Sequence, residues 1–249
     1  MTSYLILRHW IDIDKINYNL LCMNLNSIEF LKKNPNKINW NNLSFNENAI
    51  ELLNENPNKI DWNRISVNEN AIKILKKNPN KIDWNRLSRN RGAIDLLEEN
   101  QDKINWNILS FNKNAIKILK KNPNKIDWNR LSKNTSAIKL LTANKNKIDW
   151  CNLSSNPNAI ELLKENPDKI NWVQLSSNPN AIELLSQNKD KIDWNELASN
   201  PSIFTYDYKK IKQNFSELAE EIIAKALHPD RLFKLMKIYD NNEVYNTYF

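Results

Sequence analysis

Residues 156–185 read NPNAIELLKENPDKINWVQLSSNPNAIELL, and the opening NPNAIELL returns unchanged at 178–185, 22 positions after it began. Followed outward, the period runs through most of the chain. Trp40, Trp62, Trp84, Trp106, Trp128, Trp150, Trp172 and Trp194 are each 22 residues apart, and Tyr18 lies one period before Trp40. Lysines run in register from Lys15 to Lys191 and asparagines from Asn24 to Asn200. The unit is K-I-[DN]-W-N-x-L-S-x-N-x-N-A-I-x-L-L-x-x-N-P-N. Internal repetition at such a period is the signature of a stacked-repeat architecture.

Each unit contains the signals for two short helices. Ala159, Ile160, Leu162 and Leu163 recur at i, i+3, i+4 and define one apolar face. Asn156 is placed to cap this helix, with Pro157 at its first position, where a missing N–H costs nothing. Asn166 before Pro167 is pushed out of the helical region and ends it. The other helix covers about Trp84 to Ser88, an α turn or a 3-10 segment, with Asp83 placed to cap it. One unit buries too little apolar surface to offset the entropy of ordering 22 residues. The sequence therefore predicts an all-α tandem-repeat solenoid whose core is a ladder of Trp, Ile and Leu.

The predicted organisation is an N-terminal cap at 1–14, nine repeats over 15–202 with the last incomplete, and a helical C-terminal cap at 203–249. In the C-terminal segment Phe215, Leu218, Ile222, Ile223 and Leu227 are helically spaced, His228-Pro229 breaks the pattern, and a shorter helix is expected at 230–238. Residues 70–88 and 114–132 are identical, so the duplicated block was two repeats. Lys76-Lys77, Glu98-Glu99 and Lys120-Lys121 share one register and are expected to form ion pairs between repeats.

The chain has 46 asparagines and one glycine, Gly92. Glycine-rich phosphate loops are therefore excluded. A net charge of +7 from 36 basic and 29 acidic residues describes a mixed, mildly basic surface. No apolar run is long enough to span a bilayer, and Met1–Trp10 lacks the h-region and cleavage site of a secretory leader. Cys22 and Cys151 are too far apart in the array to read as a disulfide framework and suit a reducing compartment. His9 and His228 have no metal-ligand spacing around them. The carboxylates Asp61, Asp83, Asp127, Asp149 and Asp193 alternate with Asn39, Asn105 and Asn171 at one position, as caps can and catalytic acids cannot. The sequence thus predicts no enzyme activity, no metal, no cofactor, no small-molecule substrate and no membrane contact.

The stretch at 156–185 resembles the Asn-rich 22-residue repeats of amoeba-infecting giant viruses of the mimivirus type. The resemblance extends over residues 15–240 and includes Asn200-Pro201-Ser202-Ile203-Phe204 and Leu227-His228-Pro229-Asp230-Arg231-Leu232. It implies a viral repeat protein, working inside the host cytoplasm or virus factory or carried in the virion, and it transfers no catalytic residue. In architecture the unit is similar, more loosely, to leucine-rich-variant repeats, which alternate α and 3-10 helices.

Positions that vary within a fixed scaffold are where a partner would be chosen. Two registers stand out in repeats two to six. One holds Arg64, Arg86, Ile108 and Arg130; the other holds Phe45, Val67, Arg89, Phe111 and Lys133. Aromatic and arginine side chains dominate protein interfaces, so these residues are the candidate site for a protein partner, host or viral. The alternatives are a nucleic acid, whose phosphates would be held by Lys59, Lys81, Lys103 and Lys125, and a structural role in virion assembly. The plainer role for that lysine register is to meet the negative end of a helix dipole.

Overall fold

The computed structural model describes residues 7–228 together with 231, 232 and 235. It forms two compact units, one up to Asn200 and one from Pro201. Among the described residues there is no strand, and the first unit is an all-α repeat solenoid, as the period predicts. Residues 1–6 of the expected N-terminal cap, and most of the helix expected at 230–238, lie outside the described residues.

One repeat stands for the rest. Asp83 accepts a hydrogen bond from the Arg86 amide at 3.0 Å and starts the helix Trp84–Leu87. Asn90 then caps a 3-10 turn, Arg91–Ala93, and the helix Ile94–Glu99 follows directly. Asn100 ends it outside the helical region, φ −131° and ψ 52°, and its side-chain amide donates back to Leu96 O at 2.9 Å. A second 3-10 turn, Gln101–Lys103, leads into the next repeat. The two expected helices are both α, and the 3-10 geometry falls on the connections between them. In the repeat read first, Asn156 caps the 3-10 turn Pro157–Ala159, and the α-helix begins only at Ile160.

The buried core consists of Leu, Ile and Ala in register, for example Ala93, Leu96, Leu97, Ile104 and Leu109. The tryptophans do not occupy its centre. Trp40 to Trp172 are half-buried and pack on its margin, and Trp194 is 67% exposed. The centre is instead shared with two polar ladders. Asn46, Asn68, Asn90, Asn112, Asn134, Asn156, Asn178 and Asn200 are all buried. The side-chain amide of each donates to two carbonyls of the preceding repeat: Asn90 reaches Asn68 O and Ser66 O, both at 3.0 Å. The side-chain oxygen, Asn90 Oδ1, remains for the cap, accepting from the Gly92 amide at 2.9 Å. One residue type thus satisfies a helical start and a neighbouring repeat together.

Serine forms the second ladder. Ser88 Oγ donates to Trp84 O at 2.8 Å and accepts from the Asn105 amide of the next repeat at 3.0 Å. In the first repeat Cys22 stands at this position, fully buried, and its Sγ accepts from the Asn39 amide at 3.3 Å. Among the described residues no buried side-chain nitrogen or oxygen lacks a partner, as a polar-cored stack requires.

Charged side chains pair across repeats in the expected register. Lys76 meets Glu99 at 3.7 Å, and Lys121 bonds Glu98. The Lys121 hydrogen bond and charge hold the Glu98 carboxyl below the usual carboxylate range.

In the second unit Asp207 caps the 19-residue helix Tyr208–Ala226 by accepting from the Lys210 amide at 3.0 Å. Its Phe215, Leu218, Ile222 and Ile223 are exposed.

Candidate functional site

The lysine register, the candidate anion track, acquires a structural role. Each of these lysines ends the 3-10 turn before a tryptophan helix, as Lys81 ends Pro79–Lys81, and not the longer α-helix whose dipole the sequence suggested it would meet. Its ammonium lies over the aromatic ring of the preceding repeat. Lys59 is 4.6 Å from the Trp40 centroid, Lys81 4.8 Å from Trp62, Lys103 4.8 Å from Trp84 and Lys125 4.7 Å from Trp106. Lys37 covers Tyr18 in the same way at 5.2 Å. These are cation–π contacts, repeated along one edge of the stack. Lys169 differs: it pairs with Asp168 at 3.3 Å and, among the described residues, covers no ring.

The two variable registers meet elsewhere. Val67, Arg86, Arg89, Ile108, Phe111, Arg130 and Lys133 line one groove of about 820 Å³, together with Asn85, Asn129 and Asn152. The groove crosses repeats three to seven. Its lining contains four cationic side chains and no carboxylate. Arg86 and Arg130 are oriented by the residues that cap their own helices: Arg86 Nε meets Asp83 at 3.4 Å and Arg130 Nε meets Asp127 at 3.5 Å. Arg89 and Lys133 are exposed and form no ion pair among the described residues. Phe111 is 45% exposed, whereas Ile108 and Val67 are half-buried beside it.

Two of the expected residues fall outside this groove. The Arg64 guanidinium lies 5.1 Å from the Phe45 ring centroid, and it also contacts Asp61 at 3.3 Å and Asn42 Oδ1 at 2.5 Å. Phe45 and Arg64 thus satisfy each other as an edge-packed pair between repeats two and three. In the other direction, the sequence reading passed over Asn85, Asn129 and Asn152. Asn85 and Asn129 follow the tryptophan and look like invariant scaffold. Only the stacking shows that this register borders the groove.

The model of a family described as periplasmic copper-binding protein (NosD) matches residues 11–216. The chain belongs to that family. The match covers the whole repeat array. Neither the curated proteins nor the solved structures contain a match.

Copper sites use clustered imidazole, thiolate and thioether ligands. Among the described residues no group of three or more His, Cys, Asp or Glu side chains could hold a metal ion. Cys22 is buried and bonded within the serine ladder, and burial pushes its thiol up from its ordinary value. Cys151 is exposed and belongs to a repeat six periods away. These donors do not fit copper, and no copper chemistry is assigned to them.

Proposed function

We propose that this chain is a non-catalytic scaffold that binds a protein partner in the groove across repeats three to seven. The observation that carries this reading is convergence: seven residues, selected because they vary within an otherwise fixed repeat, line one groove. A groove that combines an exposed aromatic with arginines held in place by neighbouring carboxylates has the composition of an interface hot spot. Prior orientation of those arginines lowers the entropy lost on binding.

Nucleic-acid binding is served less well, because the lysines that would form its track lie over tryptophan rings. Resemblance to giant-virus repeats supports a viral or host protein as partner, met inside the infected cell or in the virion.

Selection of a random-peptide display library tests the reading. Peptides enriched on the wild type should be lost on a protein carrying Phe111→Ser and Ile108→Ser. Enrichment that is equal on both proteins would refute a partner site in this groove.

A further inference from the structure

The two registers that line the groove alternate in character from one repeat to the next. Repeat four presents Arg86 and Arg89, repeat five presents Ile108 and Phe111, and repeat six presents Arg130 and Lys133. An apolar pair is thus flanked on each side by a pair of cations. From this order we infer that the groove takes an extended acidic peptide segment, with one large apolar side chain seated on repeat five and carboxylates on either side of it. This inference rests on the reading of the groove as a partner site.

Three features favour this occupant. The lining has four positive side chains and no negative one, and two of the four, Arg89 and Lys133, lie outside the ion pairs to Asp83 and Asp127 and flank repeat five, so an anionic ligand meets a complementary charge on either side of the anchor. The ion pairs to Asp83 and Asp127 use the Nε atoms, which leaves the terminal guanidinium nitrogens of Arg86 and Arg130 to receive a second carboxylate. The exposed Phe111 ring, with Ile108 beside it, offers apolar surface to an anchor, which a phosphate backbone could not use. Stacked helices lie about 8–10 Å apart. A peptide in the extended polyproline II conformation advances about 3.1 Å per residue with three residues per turn, so an apolar anchor with acidic residues three positions before and after it presents all three side chains to the groove at about that spacing.

Fluorescence anisotropy on the full chain tests this with a labelled peptide carrying glutamates three residues on either side of a phenylalanine. The expected result is saturable binding that weakens with salt. Reversing Arg89→Glu and Lys133→Glu together should weaken it at least about tenfold, as should Phe111→Ser. Phe111→Leu should restore most of the affinity. The exposed positions of Arg89, Phe111 and Lys133 should leave the circular dichroism spectrum unchanged.

Equal binding of the matching lysine peptide, still lost in Phe111→Ser, would overturn the acidic occupant while leaving the groove as a partner site. Binding of the acidic peptide that no groove substitution alters would overturn both. Tighter binding of a labelled oligo-uridine at the same groove would overturn the choice of a peptide, and no binding of the acidic peptide would overturn the inference itself.

Discussion

The ammonium of Lys81 lies 4.8 Å from the ring centroid of Trp62, a residue of the repeat before its own. The contact recurs wherever a lysine of this register follows a half-buried tryptophan ring, with Lys169 as the exception. It explains why the same two residue types persist at 19 residues' separation. Replacing Lys81 by methionine keeps the aliphatic stem and removes the cation. The expected loss is about 0.5–1 kcal/mol, measured by urea unfolding. Lys169→Met, where no ring is covered, should change stability by less than about 0.5 kcal/mol.

The asparagine ladder bears more of the stability. Asn112 donates to Ser88 O at 3.2 Å and Asn90 O at 3.1 Å and accepts from the Asn114 amide at 3.0 Å. Asn112→Ala leaves the Ser88 carbonyl and the Asn114 amide without these partners and Asn90 O with only the long bond from the Ala93 amide at 3.4 Å, so a cost of about 2–4 kcal/mol is expected. Asn112→Asp has the same shape but sets an oxygen against both carbonyls, and should cost at least as much. Urea midpoints of both variants check the order.

Gly92 occupies a place where Asn48, Asn70 and Asn114 hold a side chain that bonds a carbonyl of the previous repeat. Without a side chain the backbone comes closer: a Cβ there would stand 2.7 Å from Glu69 O. Gly92→Ala must push the two repeats apart and should destabilise by about 1–3 kcal/mol, read from the thermal midpoint. The single glycine is thus a local adjustment of spacing, with no positive φ to explain it.

The two cysteines should differ in reactivity. Cys151 is exposed, whereas Cys22 is fully buried with a raised thiol pKa. A thiol reagent near pH 8 should label Cys151 at once and Cys22 only as the chain unfolds. Because serine fills the Cys22 position in later repeats, Cys22→Ser should shift stability by less than about 1 kcal/mol. Equal labelling rates in the native protein would contradict the ladder's placement of Cys22.

The period, the helices and their caps were legible because each rests on local chemistry. Asp83 and Asn90 start helices from signals within three residues, and Leu96 and Leu97 mark a face by their spacing. The ladders were not legible, because they join residues 17 to 24 positions apart that meet only once repeats stack. Asn90 could be read as a cap but not as a double donor, and Ser88 recurs in the unit with nothing local to say what it bonds. The period places the tryptophan ladder in the core with Ile and Leu, whereas the stack gives that space to Leu, Asn and Ser and leaves the rings for lysine to cover. Most of the groove was found because variation against a fixed pattern marks surface. Phe45 and Arg64 shared that variation, yet they stack on each other.

Amide chemical-shift mapping tests the central claim most directly. An isotope-labelled chain would be titrated with the glutamate–phenylalanine–glutamate peptide. The expected shifts centre on Ile108 and Phe111, extend to Arg86, Arg89, Arg130 and Lys133, and spare Phe45. Shifts that instead follow Lys59, Lys81, Lys103 and Lys125 would contradict a partner site built around repeat five.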